Sequence, residues 1–230
     1  RMINRVLLYN SGGGIGDALQ ILPLINTLKS KFKEAKFFYL SAHENHFNTT
    51  LKDFNSKIET LNLDIKYFGF RWWHFFKVKK NFSKLKLDKF DLIVDCQSKL
   101  RNTIILKQIP AKTFYSSTFN NIFCSKLERS PKEFWSNLKT NDYDIKNIPK
   151  KYFDESIRLL PDKNYVGFSL TQGNVYRKKE WPLNKVIKLS EELIKNNKIP
   201  VFLVEKKNQE LKNKIKSSIP SALFPENETS

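Results

Sequence analysis

Residues 11–17 read SGGGIGD and join an apolar run typical of a strand to an amphipathic run typical of a helix. The upstream run, VLLY at residues 6–9, has the continuous apolar character of a strand buried on both faces of a parallel sheet. Downstream, apolar residues recur at the helical spacing i, i+3, i+4 and i+7, at Ala18, Ile21, Leu22 and Ile25. This order predicts an α/β protein with a ligand site at the carboxyl end of the first strand.

The glycine-rich turn matches neither of two common nucleotide-binding loops. A Walker phosphate loop closes with Gly-Lys-Ser/Thr, whereas Gly16 is followed by Asp17. The dinucleotide fingerprint G-x-G-x-x-G also fails because its third glycine position, counted from Gly12, is Asp17. We expect the glycines, Gly13 and Gly14 among them, to reach positive φ and to let a ligand approach bare backbone.

Two interpretations of Asp17 stay open at this point. A carboxylate at a helix start repels phosphate, which makes Asp17 a candidate general base near a cleft. Alternatively, Asp17 only caps the helix by accepting hydrogen bonds from unpaired N–H groups at the positive end of the helix dipole. Pro23 either kinks this helix or marks its first turn.

Composition narrows the class of protein. With 230 residues, the chain can bury a sizeable core in one large domain or in a domain and a half. Its 41 Lys and Arg against 23 Asp and Glu give a net charge of +18, which favours an anionic partner such as nucleic acid, anionic lipid or a phosphorylated substrate. Cys96 and Cys124 are too few for a disulfide framework or a thiolate metal site. With no apolar run long enough to span a bilayer, we expect a soluble, cytoplasmic protein.

Strand-like and helix-like runs alternate after the first helix. Strands are predicted at residues 36–41, 91–95 and 112–116, and a helix at residues 98–108. Residues 43–61 are predicted to form a loop with helical character. The alternation predicts a doubly wound parallel sheet.

A polar stretch with Pro149 and Pro161 predicts a linker. We therefore expect an amino-terminal Rossmann-like domain over residues 1–150, a linker over 151–163 and a partial second domain over 164–230. The second domain has strand-like runs at residues 165–170 and 200–204.

Three cations at residues 177–179 precede a helix whose start Pro182 helps to define. Cations beside the N–H groups of a helix start form a receptor for a diphosphate. The preceding turn, TQGN at residues 171–174, supplies hydroxyl, amide and glycine groups that suit phosphate oxygens. The alternative is a solvated basic loop with Trp181 packed in the core.

Three segments in the same order resemble the glycosyltransferase family 9 heptosyltransferases of lipopolysaccharide core synthesis. The first is GDALQILP at residues 16–23, similar to that family's Gly-Asp, apolar stretch and Pro. The second is DLIVDCQ at residues 91–97, with Leu100 and Arg101 following, and the third is KEWP at residues 179–182. The resemblance implies a GT-B fold, with two Rossmann-like doubly wound parallel-sheet domains facing a cleft and the second one incomplete.

The resemblance also implies an activity. It makes the chain an inverting, metal-independent glycosyltransferase that needs no cofactor and moves a heptose from a nucleotide-diphosphate sugar, ADP-heptose, to a lipopolysaccharide inner-core acceptor. Asp17 is then the catalytic base and Lys179 contacts the donor diphosphate. Thr171, Gln172 and Gly173 are implied in donor binding, and the implied acceptor side comprises Gly13, Gly14, Gly16, Gln97 and Arg101.

One family feature has no counterpart before Ser230, namely a later Ser/Asp-Thr-Gly-x-x-His segment that helps to hold the donor. We therefore expect a chain truncated at its carboxyl end, and an inactive sugar-nucleotide-binding remnant is an alternative to an active enzyme. Residues 142–144 (DYD) have the Asp-x-Asp form of metal-dependent glycosyltransferases, but no strand precedes them, so we predict no metal site. His43, His46 and His74 are too scattered to suggest a cluster, and we expect surface or core roles for them.

Residues 66–89 interleave aromatic side chains with cations. Bases could stack on such rings, as in single-strand binders, which makes a nucleic-acid-binding α/β module the rival function. The rings could instead lie at a bilayer interface while the lysines meet anionic lipid. A third interpretation is a core-facing aromatic cluster with solvated lysines. Because the resemblance implies a lipid-linked oligosaccharide acceptor, we favour an anionic membrane surface over nucleic acid and expect peripheral association with the cytoplasmic membrane face.

Overall fold

The computed structural model describes residues 3–54, 58–97, 99–120, 122–125, 164–170, 181–205 and 207–225. The chain divides into two compact units, Arg1–Asn147 and Ile148–Ser230. The first contains a parallel sheet of five strands and the second a parallel sheet of two strands, which confirms the predicted α/β class. The predicted linker, residues 151–163, lies outside the described residues, and the predicted domain boundaries stay predictions.

The first unit is built on a sheet with the order β3-β2-β1-β4-β5. Its strands are β1 (Arg5–Asn10), β2 (Lys36–Ser41), β3 (Glu59–Thr60), β4 (Phe90–Asp95) and β5 (Ala111–Ser116). A row of paired residues near the carboxyl ends of four strands runs through Leu40, Tyr9, Asp95 and Ser116. The strand order reverses between β1 and β4, and ligands of open α/β sheets bind at such a switch point.

Helices cover both faces of this sheet. They are α1 (Ile15–Lys31), α2 (His74–Lys84) and α3 (Leu100–Leu106). Val6 and Leu8 pack in one apolar cluster with Ile25 of α1, whereas Leu7 packs in the other cluster with Val78 of α2. Alternate residues of β1 thus pack in clusters on opposite faces of the sheet. Because both faces are buried, the strand reads as a continuous apolar run with no polar position in it. In the described part of the chain, no helix is both long enough and apolar enough to cross a bilayer.

The observed helices differ from the predicted ones at their ends. Helix α1 begins at Ile15, so Pro23 lies inside it and not in its first turn. A proline there removes one N–H donor from the helical ladder. Helix α3 is shorter than the run predicted at residues 98–108.

The region predicted as a loop with helical character, residues 43–61, contains two 3₁₀ turns and the edge strand β3. The turns are His46–Asn48 and Lys52–Phe54. Strand β3 has only two residues, both exposed, so it lacks the apolar pattern by which a strand is recognised in a sequence.

The aromatic segment, residues 66–89, faces the core only in part, because Phe68 and Phe82 are buried whereas other rings are exposed. Trp72 and Trp73 are each 55% exposed and Phe76 is 80% exposed. Helix α2 turns His74 and Val78 toward the sheet instead. The core-facing interpretation is therefore wrong for these three rings.

The second unit comprises β6 (Tyr165–Ser169), α4 (Leu183–Lys195), β7 (Ile199–Leu203) and α5 (Gln209–Ser218). Strands β6 and β7 are parallel and pair Phe168 with Phe202, whose stacked ring centroids lie 5.0 Å apart. Val186 of α4 and Ile215 of α5 are fully buried against them. Both predicted strands of this unit are confirmed to within one residue at each end.

Candidate functional site

The glycine-rich loop connects the carboxyl end of β1 to the first turn of α1. None of its four glycines has a positive φ, so the prediction that they adopt left-handed backbone conformations is wrong. Two of them are required by close packing instead. A Cβ at Gly12 would collide with the carboxylate of Asp17, and a Cβ at Gly13 would overlap the ring of His43.

Packing does not account for the other two glycines of the loop. A Cβ at Gly14 would meet only Asp17, at an ordinary contact distance of 3.4 Å, and a Cβ at Gly16 would meet nothing within 4 Å. Gly16 lies in the first turn of α1, where alanine would favour the helix by roughly 1 kcal/mol. The loop therefore leaves bare backbone exposed beside Asp17, where a ligand can approach closely.

Asp17 is held in place and is also exposed to solvent. Its Oδ2 accepts a hydrogen bond from the N–H of Gly14 at 3.3 Å, so it caps the start of α1. Its carbonyl oxygen accepts a hydrogen bond from Nδ2 of Asn10 at 3.0 Å, which ties the helix start to the end of β1. A carboxylate has about four lone-pair sites, and the cap occupies one of them. Capping therefore leaves acceptor capacity for a substrate hydroxyl.

Gln97 lies at the same end of the sheet and connects β4 to β1. Its Nε2 donates to Oδ1 of Asn10 at 2.8 Å, and the same oxygen accepts the N–H of Gly12 at 3.1 Å. Asn10 is only 2% exposed, so these hydrogen bonds form in a region of low dielectric constant. In the structure Gln97 fixes the glycine loop, and its predicted contact with an acceptor stays a prediction.

His46 is a residue of this site that the sequence analysis does not identify. Its Nε2 lies 2.9 Å from the carbonyl oxygen of Gly13, so Nε2 carries the proton and donates. Its Nδ1 lies 3.7 Å from a carboxylate oxygen of Glu44. The imidazole is buried at 7% exposure and anchors the loop from the side of β2.

His43 is the second such residue, and it is exposed. Its ring packs against Gly13 and makes an edge-to-face contact with Tyr67, with ring centroids 5.3 Å apart. The run SAHENH, residues 41–46, begins at the last residue of β2. Because the carboxyl ends of parallel strands meet at one edge of a sheet, that position could have identified both histidines.

Arg101 supports the segment that follows Tyr67. Its Nε donates to the carbonyl oxygen of Gly69 at 2.8 Å. Gly69 has a φ of +86°, and a Cβ there would collide with the hydroxyl of Tyr9, so this position requires glycine on both counts. The structure thus gives Arg101 a positioning role, and its predicted place on the acceptor side stays a prediction.

A buried carboxylate lies below the loop, at the end of β4. Oδ2 of Asp95 accepts hydrogen bonds from the hydroxyls of Thr103 at 2.6 Å and Ser116 at 2.8 Å, and Oδ1 accepts the N–H of Gln97 at 2.9 Å. Burial raises the pKa of Asp95 to about 6, although these hydrogen bonds favour the ionised form. Asp95 therefore holds the backbone at Gln97 in place, although burying its carboxylate costs free energy.

The predicted donor-binding residues Thr171, Gln172, Gly173 and Lys179 lie outside the described residues, as does the DYD segment at 142–144. Within the described ranges, no group of three His, Cys, Asp or Glu side chains is placed to hold a metal ion. The described part of the predicted KEWP segment shows Trp181 at 52% exposure, so Trp181 is not the core residue that the solvated-loop alternative expects.

Comparison with known proteins gives a likeness of fold. No protein-family model matches the sequence, and no curated protein matches it. Among solved structures, the chain is similar to the glycosyl transferase family 9 protein from Veillonella parvula, with 13% identity and a TM-score of 0.55 over 98% of this chain and 71% of that chain. The fold is that of GT-B glycosyltransferases.

Two further structures support this fold. The chain is similar to E. coli heptosyltransferase WaaC with ADP-2-deoxy-2-fluoro heptose, with 13% identity and a TM-score of 0.53 over 98% of this chain and 77% of that one. It is also similar to S. aureus MnaA in its UDP co-structure, with 11% identity and a TM-score of 0.53 over 99% of this chain and 69% of that one. At these identities the likeness concerns the fold.

Proposed function

We propose that the chain is an inverting glycosyltransferase that moves a heptose from ADP-heptose to a lipopolysaccharide inner-core acceptor. The GT-B fold supports sugar-nucleotide chemistry, and the similar WaaC structure contains an ADP-heptose analogue. The observation that carries the proposal is the exposed carboxylate of Asp17 beside bare backbone at the switch point of the sheet.

In the proposed reaction, Asp17 takes the proton of an acceptor hydroxyl. The hydroxyl oxygen attacks the anomeric carbon of the heptose, and the bond from that carbon to the diphosphate oxygen breaks with inversion. ADP leaves with the electron pair of the broken bond, and the proton stays on Asp17 until it passes to solvent. The hydrogen bond from Gly14 holds the carboxylate in one orientation, which favours a productive approach of the hydroxyl.

Lys179 has a complementary role in this proposal. An ammonium group beside the leaving diphosphate stabilises the negative charge that develops in the transition state. The assignment comes from the resemblance of the KEWP segment, with Thr171, Gln172 and Gly173 placed on the donor by the same reasoning. No metal ion is needed, because cations of the chain neutralise the leaving group.

The test is a transfer assay with ADP-heptose and a lipid A-inner core acceptor, followed by mass spectrometry for the added heptose. The Asp17→Asn variant keeps an oxygen that can accept the hydrogen bond from Gly14 but cannot take the proton. We expect turnover to fall by about 100-fold to 10,000-fold, with donor affinity unchanged. The matched control is Asp88→Asn, because Asp88 is an exposed carboxylate near the opposite end of the sheet.

Three outcomes would contradict the proposal. Normal turnover by Asp17→Asn would remove Asp17 as the base. Donor binding without transfer would favour an inactive remnant, and epimerisation of a UDP-sugar without acceptor would favour the chemistry of a 2-epimerase, a class that occurs among the similar folds. Each outcome has a separate readout in the same set of assays.

A further inference from the structure

The solvent side of helix α2 carries aromatic rings. His74, Val78 and Phe82 form the buried side of the helix, at 4%, 0% and 4% exposure. Trp73 and Phe76 lie on the opposite side, where Phe76 is exposed by 80%. Large apolar side chains that remain exposed to water cost free energy, and a group of them on one surface marks an interaction site.

Lysines share this side of the helix with the rings. Trp73, Phe76 and Lys80 follow at the helical spacing i, i+3 and i+7, so they form one stripe. Cations border the stripe at Arg71, Lys77, Lys79 and Lys84. We name these seven side chains, together with Trp72, the α2 surface.

Within the part of the chain that the structure describes, no carboxylate compensates the charge of the α2 surface. Residues 65–87 contain no Asp or Glu. No carboxylate in the described part of the chain forms an ion pair with the cations of the α2 surface. A stripe of exposed rings between cations that have no described carboxylate partner is complementary to a bilayer with an apolar interior and a negatively charged surface.

A pocket of about 600 Å³ adjoins the α2 surface. Its lining includes Lys66, Arg71, Lys77, Tyr67 and Trp73, with one carboxylate from Asp64. This combination of three cations with aromatic rings suits a phosphate group that carries an apolar or sugar substituent. The pocket has room for a phospholipid headgroup beside the exposed rings.

We propose that the α2 surface binds the surface of an anionic lipid bilayer. Tryptophan and phenylalanine enter the boundary between headgroups and acyl chains, while lysines remain at the level of the anionic headgroups. The helix then lies parallel to the membrane plane with His74, Val78 and Phe82 still packed on the sheet. The proposal goes beyond sugar transfer and does not depend on it.

The geometry favours a bilayer over single-stranded nucleic acid. Base stacking needs open ring faces, and the Arg71 guanidinium already lies over the ring of Trp73, 5.9 Å from its centroid. Phe76 instead projects from the outermost side of the helix, which suits insertion into a bilayer. A nucleic-acid partner is therefore an outcome of the test.

The experiment measures partition of the whole chain to phosphatidylcholine vesicles with and without phosphatidylglycerol. We expect binding only to the anionic vesicles, with tryptophan quenching by lipids brominated near the headgroup. The triple variant Lys77→Gln, Lys80→Gln, Lys84→Gln lowers partition by about 100-fold. The double variant Trp73→Ser, Phe76→Ser lowers it by roughly tenfold or more.

Matched controls lie on the second unit. The triple variant Lys188→Gln, Lys198→Gln, Lys216→Gln removes the same charge from exposed positions, and Leu189→Ser removes an apolar side chain that is 38% exposed. Both controls should retain partition within about twofold, because they lie outside the surface. Equal losses in the α2 variants and the controls would overturn the proposal. The proposal would also be overturned if the chain bound an oligonucleotide with a steep salt dependence and did not bind anionic vesicles.

Discussion

The amino and carboxyl ends of strand β4 each carry a buried aspartate, and the two are held in different ways. At the amino end, Oδ1 of Asp91 accepts a hydrogen bond from the ammonium group of Lys112 at 2.5 Å. Its Oδ2 accepts hydrogen bonds from the N–H groups of Asn4 at 2.9 Å and Arg5 at 3.0 Å. Burial alone would raise the pKa of Asp91, but these partners outweigh it and the pKa is lowered. At the carboxyl end, Asp95 has hydroxyl and N–H donors, and no described cation pairs with it.

We interpret this difference as a contrast between a stabilising amino end of the sheet and a carboxyl end that carries the proposed site. At the amino end, the Lys112 ammonium compensates the charge of Asp91, and the hydrogen bonds to this carboxylate connect β4 to β1 and β5. The carboxyl end keeps a poorly compensated carboxylate beneath the glycine loop and an exposed one, Asp17, on it. Charges that the fold does not balance cluster at functional sites, which is consistent with the proposed site at the carboxyl end.

The largest effect that we expect at the carboxyl end, apart from loss of the proposed base, concerns His46. His46→Leu removes the donor that holds the carbonyl of Gly13, so the loop shifts and turnover falls by about 100-fold. His46→Gln keeps a side-chain N–H and should lose less than about tenfold. The measurement is kcat in the transfer assay at constant folded fraction. Equal turnover by the two variants would show that the hydrogen bond does not position the loop.

A smaller effect, on stability, is expected at the amino end. Asp91→Asn removes the negative charge to which Lys112 and two N–H groups donate hydrogen bonds. The free energy of unfolding should therefore fall by about 2 kcal/mol at pH 7. Because the pKa of Asp91 is lowered by folding, its contribution is present above the usual value of 3.8 and is lost as the pH falls through the folded pKa. Urea unfolding at pH 5 and pH 7 should therefore give the same deficit. A variant as stable as the parent chain would contradict this account.

The smallest effect concerns Asp95, and its contribution to stability changes with pH in the direction opposite to that of Asp91. Its pKa is raised to about 6, so its contribution to stability is present below 3.8 and is lost as the pH rises through 6. Between pH 5 and pH 7 this loss amounts to about 1 kcal/mol. Asp95→Asn should remove that slope from the difference between variant and parent in urea unfolding. An unchanged slope would mean that Asp95 does not titrate in this range.

The sequence predicts the first unit well where periodicity carries the signal. Strand β2 is predicted at its observed bounds, and the strand that contains Leu92 to Val94 is recognised from its apolar run. The edge strand β3 escapes prediction because it is exposed and only two residues long. Composition alone leaves open which rings of α2 are buried, and the structure places Phe82 on the inward side with His74 and Val78 and leaves Phe76 exposed.

The candidate site is predictable in part. Its location follows from the glycine-rich run, because a strand and a helix flank it, whereas the role of Asp17 as a base is implied only by the family resemblance. His43 and His46 do not follow from spacing, since they approach Gly13 only when β2 pairs with β1. The reason for Gly12 and Gly13 is also invisible in the sequence, because close packing and not a positive φ requires them.

The most direct test measures two quantities on the same two variants, Asp17→Asn and Asp91→Asn. Transfer of heptose from ADP-heptose reports the carboxyl end of the sheet, and the free energy of unfolding reports the amino end. We expect Asp17→Asn to lose at least about 100-fold in turnover while its stability changes by less than about 1 kcal/mol. Asp91→Asn should lose about 2 kcal/mol and keep its turnover per folded molecule. Full turnover by Asp17→Asn would contradict the account.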